Sequence, residues 1–140
     1  MTLGNQRAVR LEWTGEGVRF TGFGTEPQSP SVVIDGDAEA GPSPMLTLLL
    51  AAASCSASDV VVILQKMRVN LATLTVDLRG TRRTEEPRRY MSIQFHFRMG
   101  GEGLDRAKAE RAVSLSLEKY CSVVHTLAPD VEVGFDLDLV

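Results

Sequence analysis

A long apolar stretch near the middle of the chain sets the strongest limit on how this sequence can fold. Residues 45–62 carry almost only apolar or small side chains, and Pro44 precedes them, at a first turn where proline's missing N–H costs a helix least. Apolar or small residues recur at helical spacing at positions 46, 49, 50, 53, 57, 60, 61, 64 and 67, and the opposite side is apolar too. A helix that is apolar on all sides is normally buried. We therefore predict a long, buried central helix that begins at Pro44.

Polar residues interrupt this stretch, which contains Thr47, Ser54, Ser56, Ser58 and Asp59. We expect a core helix and no membrane span, because a spanning segment needs about 20 predominantly apolar residues. The first ten residues contain no apolar run, so we also expect no secretory signal and a cytoplasmic location.

Alternation of apolar and polar residues predicts strands on both sides of the central helix. The predicted strands cover residues 7–14, 18–21, 31–35, 73–79, 93–98 and 131–139. Asp105 is positioned to cap a second helix that runs to about Cys121. The resulting order is βββαββαβ, and the short turns between paired strands favour antiparallel sheets and the α+β class. A chain of 140 residues has the length of one domain, so we predict a single domain over residues 1–140.

The charge of the chain argues against a nucleic-acid partner. The formal net charge is −3, whereas proteins that neutralise a phosphate backbone usually carry a basic excess. The loop 80–89 is the one basic feature, and without interleaved aromatic residues it is a weak signal for nucleic acid or for a partner protein. Its charged residues are Arg82, Arg83, Arg88 and Arg89 beside Glu85 and Glu86. The sequence contains no phosphate-loop or dinucleotide-binding motif, so we predict no cofactor.

Two cysteines, Cys55 and Cys121, are the residues with the clearest chemical potential. Two are too few for a disulfide-rich secreted scaffold or for a four-thiolate metal site. Neither His96, on the polar face of a predicted strand, nor His125 has a second ligand at metal spacing, so we predict no metal. An isolated intracellular cysteine is often an inert, buried side chain. The spacing along the sequence does not establish whether the two cysteines meet.

A reactive Cys55 would have to ionise, and burial opposes ionisation. If the segment is helical, Asp59 lies one turn away, and its negative charge would raise the pKa of the thiol further. A cation from elsewhere in the fold would have to offset both effects. The candidates are Arg19 on the second predicted strand and the four arginines of the loop 80–89. His125 follows Cys121 by four residues, so a continuous helix would place the two in contact.

Two segments centred on these cysteines resemble the signatures of the OsmC/Ohr superfamily. The first includes Ser43-Pro44-Met45, continues from Leu48 to Val61 around Cys55, and ends with Leu64-Gln65-Lys66-Met67-Arg68. The second runs from Glu110 to Val123 and contains Leu115-Ser116-Leu117-Glu118-Lys119-Tyr120-Cys121. The order of predicted strands and helices agrees with the fold of that family over nearly the whole chain. The resemblance implies antiparallel sheets around a long central helix and an intertwined homodimer with active sites between protomers.

The resemblance also implies an activity in the oxidative stress response. Members of the family are thiol peroxidases that reduce organic hydroperoxides to alcohols. On this basis Cys55 is the nucleophile that becomes a sulfenic acid, and Cys121 condenses with it to a transient disulfide. A dithiol reductant, with a lipoyl protein as one candidate, then resets the pair.

This sequence departs from the family pattern at one position that matters for the chemistry. The family places a glutamate just after the proline that opens the central helix, or one residue later, where it orients an arginine over the reactive sulfur. Here those positions hold Met45 and Leu46. An arginine above Cys55 would need another partner, for which Asp59 and Glu26 are candidates, and Arg19 is the nearest match to the family's arginine.

Two functions therefore remain open from the sequence. The first is a thiol-dependent organic hydroperoxide reductase that uses Cys55, Cys121 and Arg19. The alternative is a catalytically weak or inactive protein of the same fold that binds a small apolar ligand or senses oxidants. Apolar residues of the central helix, such as Leu48, Val62 and Met45, would favour alkyl or aryl peroxides over hydrogen peroxide in the first case.

Overall fold

Residues 4–140, which the computed structural model describes, form the six strands that the sequence predicts, in the predicted order. The strands are β1 Val9–Trp13, β2 Arg19–Gly24, β3 Ser31–Asp35, β4 Asn70–Arg82, β5 Tyr90–Glu102 and β6 Glu132–Leu139. The helices are α1 Pro44–Lys66, α2 Arg106–Leu115 and α3 Ser122–Thr126, with a π-helical segment at Ser116–Tyr120. The chain divides between Leu48 and Leu49 into two compact units. The α+β class is confirmed.

The first unit contains a three-stranded antiparallel sheet in the order β1-β2-β3. The glycine pattern predicted that β2 would end at Thr21, but the strand continues to Gly24. Gly22 pairs with Leu11 on one side and Val32 on the other, so two flanking strands hold this residue in the sheet. Pairing on both sides thus outweighs the weak strand propensity of glycine.

The second unit contains a sheet in the order β4-β5-β6. The strands β4 and β5 form the predicted antiparallel hairpin, but β6 pairs with β5 in parallel, which differs from the expected antiparallel arrangement. Parallel pairing requires a long connection that returns the chain to the starting edge, and the helices between β5 and β6 supply it. Both hairpin strands are 13 residues long and exceed the predicted bounds.

Alternate residues of β5 form the centre of the core in the second unit. Ile93, Phe95, Phe97 and Met99 each have 1% or less of their surface exposed. The rings of Phe95 and Phe97 stack with centroids 5.8 Å apart, and Phe135 of β6 meets Phe97 edge-on. The small residues Ala109, Ala112 and Val113 of α2 are also fully buried. Asp105 caps α2 as predicted, because its Oδ1 accepts a hydrogen bond of 2.8 Å from the Lys108 N–H.

The helix α1 begins at Pro44 as predicted, but it is not buried on all sides within the described chain. One stripe is buried, comprising Leu49, Ala52, Ser56, Val60 and Leu64. Apolar residues on other sides remain accessible, with Leu46, Leu50 and Val62 each about half exposed. The expectation of complete burial is therefore wrong for the single chain, since the elements of one chain cover only one side of this helix.

By length and composition alone, α1 is apolar enough to cross a membrane, so the polar interruptions do not exclude a span as the sequence argument held. The contacts of its polar residues describe a different environment. Ser56 and Asp59 both take part in hydrogen bonds with Ser116 of the π-helical segment. Such side-chain bonds to a neighbouring element are those of a helix packed inside a folded unit.

Candidate functional site

The structure brings the two cysteines together. Cys55 lies on α1 and is partly exposed, whereas Cys121 is fully buried, and neither forms a disulfide. The Sγ of Cys121 lies 4.0 Å from the carbonyl oxygen of Ala52, and Cys55 is close enough to raise the pKa of the Cys121 thiol. Ala52 is one helical turn before Cys55 in α1. The buried thiol is therefore held against the turn of the helix that carries the accessible one.

An irregular backbone presents Cys121 to α1. The sequence predicted one helix up to about Cys121, but α2 ends at Leu115 and a π-helical segment follows. The Cys121 N–H donates to the Ser116 carbonyl at 2.7 Å, five residues back, and Cys121 itself is extended with φ −71° and ψ 99°. π-Helical turns are rare and often occur at functional sites. The backbone N–H of His125 donates to the Cys121 carbonyl at 3.1 Å.

Three polar side chains link α1 to the π-helical segment beside the cysteines. The Ser116 hydroxyl donates to Asp59 Oδ2 at 2.9 Å, and the hydroxyl oxygens of Ser56 and Ser116 are 2.8 Å apart. Because a serine hydroxyl has one hydrogen and Ser116 gives its own to Asp59, Ser56 must donate to Ser116. We call this chain of hydrogen bonds the Asp59 network. Sequence reasoning considered Asp59 only as a charge near Cys55 or as a partner for an arginine, and it missed both serines.

Burial raises the pKa of the Cys121 thiol to about 11, and the nearby Cys55 thiol and Asp59 carboxylate act in the same direction. The Val124 N–H, which donates to the sulfur, opposes these effects only in part. Cys121 is consequently a protonated thiol at neutral pH. The two cysteines are therefore unequal, because one is partly exposed and the other is buried and protonated.

Arg19, the predicted activating cation, is surrounded by carboxylates of the first unit. Its Nε lies 3.3 Å from Asp35 Oδ2, its Nη2 lies 3.0 Å from Glu39 Oε2, and its Nη1 lies 3.4 Å from Glu16 Oε2. The hydrogen bond to Glu39 and the charges of all three carboxylates raise the pKa of Arg19, so the guanidinium stays charged.

Asp35 is the fixed member of this group of carboxylates. It is fully buried, and its oxygens accept hydrogen bonds from the backbone N–H groups of Asp37, Glu39 and Ala40. These bonds, with Arg19, lower the pKa of its carboxyl. The sequence showed Asp35 only as the last residue of a predicted strand. The structure shows that it is buried and paired with Arg19.

Three of the four arginines in the loop 80–89 have a carbonyl or a carboxylate as partner. Within the basic loop, Arg82 donates to the Arg88 carbonyl at 2.6 Å and Arg83 pairs with Glu85 at 3.7 Å, while Arg89 pairs with Asp130 at 2.5 Å.

His96 is not simply solvated as predicted. Its Nδ1 pairs with Asp136, and its Nε2 lies 3.1 Å from Asp138 Oδ2. In residues 4–140, no group of three or more histidine, cysteine or acidic side chains is arranged to hold a metal ion.

A cleft of about 240 Å³ adjoins the Asp59 network on the accessible side of α1. It is lined by Ser58, Asp59, Val62, Ile63, Lys66 and Tyr120. Its walls are mainly apolar, and Tyr120 immediately precedes Cys121 in the chain. The cleft begins about one helical turn from Cys55, at Ser58, and extends to Lys66, about three turns away.

An α+β fold that brings two free cysteines together, one on a long central helix and one at a π-helical break, defines a two-cysteine thiol protein. Comparison with known proteins identifies its family. The family model described as OsmC-like protein matches residues 35–136, and the chain belongs to this family.

Individual relatives agree with this assignment. The chain is 40% identical over 133 residues to protein YhfA of Escherichia coli strain K12, covering 94% of this chain and 97% of the relative. An OsmC-like protein from Mycoplasma pneumoniae has a TM-score of 0.82 at 13% identity over 99% of each chain. The organic hydroperoxide resistance protein OhrB of Bacillus subtilis has a TM-score of 0.62 at 15% identity, over 95% of this chain and 98% of the other. The similarity to these two structures shows the fold alone.

Proposed function

We propose that this protein is a thiol-dependent peroxidase that reduces organic hydroperoxides to alcohols. The observation that carries the proposal is the position of the Cys121 thiol against the turn of α1 that carries Cys55. A pair of thiols of this kind can donate two electrons to a hydroperoxide and form a disulfide without a metal or an organic cofactor. Family membership and the name of the OhrB relative support the same substrate class.

In the proposed reaction the Cys55 thiolate attacks the terminal oxygen of the hydroperoxide. The O–O bond breaks, the departing alkoxide takes a proton to become the alcohol, and Cys55 is oxidised to a sulfenic acid. The Cys121 sulfur then attacks the Cys55 sulfur, and the hydroxyl leaves with the Cys121 proton as water. An external dithiol, with a lipoyl group as one candidate, reduces the resulting disulfide by exchange.

Arg19 is the proposed activator of the Cys55 thiolate. A cation beside a thiol favours its ionised form. The family glutamate is replaced by Met45 and Leu46, and we propose that Asp35 takes over its task of orienting the arginine. The ion pair between Arg19 and Asp35, and the backbone hydrogen bonds that fix Asp35, support this assignment. Asp35→Ala would then lower the reactivity of Cys55 in the same direction as Arg19→Ala.

The proposed active form is a homodimer, as the resemblance to the family implies. The accessible apolar residues of the single chain support it, since large exposed apolar patches commonly mark protein interfaces. They include Leu46, Leu50 and Val62 of α1, and Val9, Leu11 and Trp13 of β1. Sedimentation equilibrium would show a two-chain mass, and a monomer at micromolar concentration would contradict the dimer.

The test of the activity is consumption of cumene hydroperoxide by purified protein with an excess of dithiol. We expect turnover by the wild type, loss of turnover in Cys55→Ser, and a stalled sulfenic acid in Cys121→Ser. Hydrogen peroxide is the control substrate. We expect slower turnover of hydrogen peroxide because the cleft beside Val62 is apolar. Equal rates with both peroxides would contradict an apolar approach, and a folded, dimeric, inactive wild type would contradict the peroxidase.

A second candidate function rests on the absence of a carboxylate at Met45 and Leu46. On this alternative the protein binds a small apolar ligand in the cleft beside Val62 or senses oxidants through Cys55. Alkylation of Cys55 distinguishes the two. Reaction markedly faster than that of a model thiol favours the peroxidase, whereas an ordinary rate favours binding or sensing.

A further inference from the structure

Ser116 is hydrogen-bonded at both ends, to α1 through its side chain and to Cys121 through its backbone. Its hydroxyl donates to Asp59 of α1, and its carbonyl accepts the Cys121 N–H at 2.7 Å. The first bond crosses to the helix that carries Cys55, and the second spans the π-helical turn. Anything that fixes Ser116 against α1 therefore also fixes the backbone of Cys121.

Asp59 is the final acceptor in this chain of hydrogen bonds. Its Oδ2 takes the Ser116 hydrogen, which in turn obliges Ser56 to donate to Ser116. Ser56 and Ser116 are fully buried, so each needs a partner for its hydroxyl. An ionised carboxylate makes a stronger acceptor than a neutral group does. Asp59 thus determines the direction of every hydrogen bond in the network.

We propose that Asp59 is a positioning residue that, acting through Ser116, holds Cys121 in place for disulfide formation with Cys55. This role rests on the proposed function, because it assigns Cys121 as the partner of Cys55. Cys55 sits one turn before Asp59 on the same helix, so one short segment of α1 carries both the first cysteine and the anchor for the second. The π-helical turn makes the link possible. Because its hydrogen bond spans five residues, Ser116 and Cys121 can both face α1.

The test is the thiol–disulfide equilibrium of the full-length protein in glutathione buffers, measured by the mass of alkylated samples. No peroxide is present, so the measurement is independent of peroxidase activity. We expect Asp59→Ala and Ser116→Ala each to lower the equilibrium constant for the Cys55–Cys121 disulfide by about tenfold, or about 1.4 kcal/mol. Asp59→Asn keeps an oxygen acceptor for Ser116, and we expect it to stay within about threefold of the wild type.

Ser58→Ala is the matched control. Its hydroxyl donates to the Ser54 carbonyl within α1, so its removal leaves the Asp59 network intact. We expect the wild-type equilibrium constant from this variant. Thermal unfolding of each variant in parallel identifies any general loss of structure, and Asp59→Asn and Ser116→Ala carry the test if Asp59→Ala does not fold.

Three results would overturn the role of Asp59. The first is an unchanged disulfide equilibrium in folded Asp59→Ala or Ser116→Ala, and the second is a loss in Asp59→Asn as large as that in Ser116→Ala. The third is a wild type that forms no disulfide in any buffer. Failure of the proposed function would give a different result. A wild type that forms the disulfide normally but consumes no hydroperoxide would contradict the peroxidase activity alone.

Discussion

The buried thiol of Cys121 should react with alkylating reagents far more slowly than an ordinary cysteine. Only the thiolate is nucleophilic, and burial raises the pKa of Cys121 to about 11. At pH 8 that pKa leaves about 0.1% of the thiol ionised, whereas an unperturbed thiol with a pKa of about 8.5 is about one-quarter ionised. Ionisation alone therefore predicts a rate about 200-fold below that of a model thiol, and complete burial of the side chain lowers it further.

The assay is the rate of iodoacetamide alkylation of Cys121 in a Cys55→Ser variant, followed by mass spectrometry from pH 7 to 11. The substitution removes the contribution of the Cys55 thiol but leaves burial, the largest cause of the shift. We expect the rate to rise with pH up to a midpoint above about 10. The same variant in guanidinium chloride should react like a model thiol. A midpoint near the ordinary value in the folded protein would refute the argument from burial.

Three further predictions concern stability and are tested by urea unfolding. Phe97→Ala removes a fully buried ring from the centre of the second unit and should cost about 3–5 kcal/mol. Gly101→Ala would place a Cβ 2.4 Å from the backbone oxygen of Asn70 and should cost about 1–3 kcal/mol, whereas Gly22→Ala, whose Cβ meets side chains at 3.6 Å, should be close to neutral. The hydrogen bond to an aspartate of β6 raises the pKa of His96 above its ordinary 6.5, so its contribution to stability is complete below that value and is lost as pH rises through the raised pKa. The comparison with His96→Gln at pH 6 and pH 9 should therefore show a difference in unfolding free energy at the lower pH only, and an equal difference at both would contradict it.

Local patterns predicted the regular elements well. Alternation located all six strands, and the proline and aspartate signals located the starts of α1 and α2. Pairing direction was harder, because β6 alternates like any half-exposed strand and its parallel partner is set by the long connection before it. The C-terminal end of β5 was missed because Gly100 and Gly101, taken from the sequence alone, signal a break in the strand. In the sheet, a side chain at Gly101 would collide with Asn70, so this glycine permits the pairing.

The candidate site, too, could be predicted only in part from the sequence. The resemblance singled out Cys55 and Cys121, and the structure places the Cys121 sulfur against the turn of α1 that carries Cys55. The residues that hold Cys121 in place were beyond reach, because nothing in the sequence of the second helix marks a π-helical turn at Ser116. The hydrogen bond to Asp59 joins residues that are far apart in the chain, so only the folded chain shows it.

The inequality of the two thiols explains why such a site would oxidise in a fixed order. Cys55 is accessible, whereas Cys121 is buried and its pKa is raised, so a peroxide meets an available nucleophile only at Cys55. Cys121 lacks access to the solvent but lies against the turn of α1 that carries Cys55, so in the proposed reaction it acts only after Cys55 has been oxidised. In the role proposed for Asp59, the hydrogen bond to Ser116 fixes the backbone of Cys121 beside α1 and keeps the Cys55 sulfur as the target of Cys121.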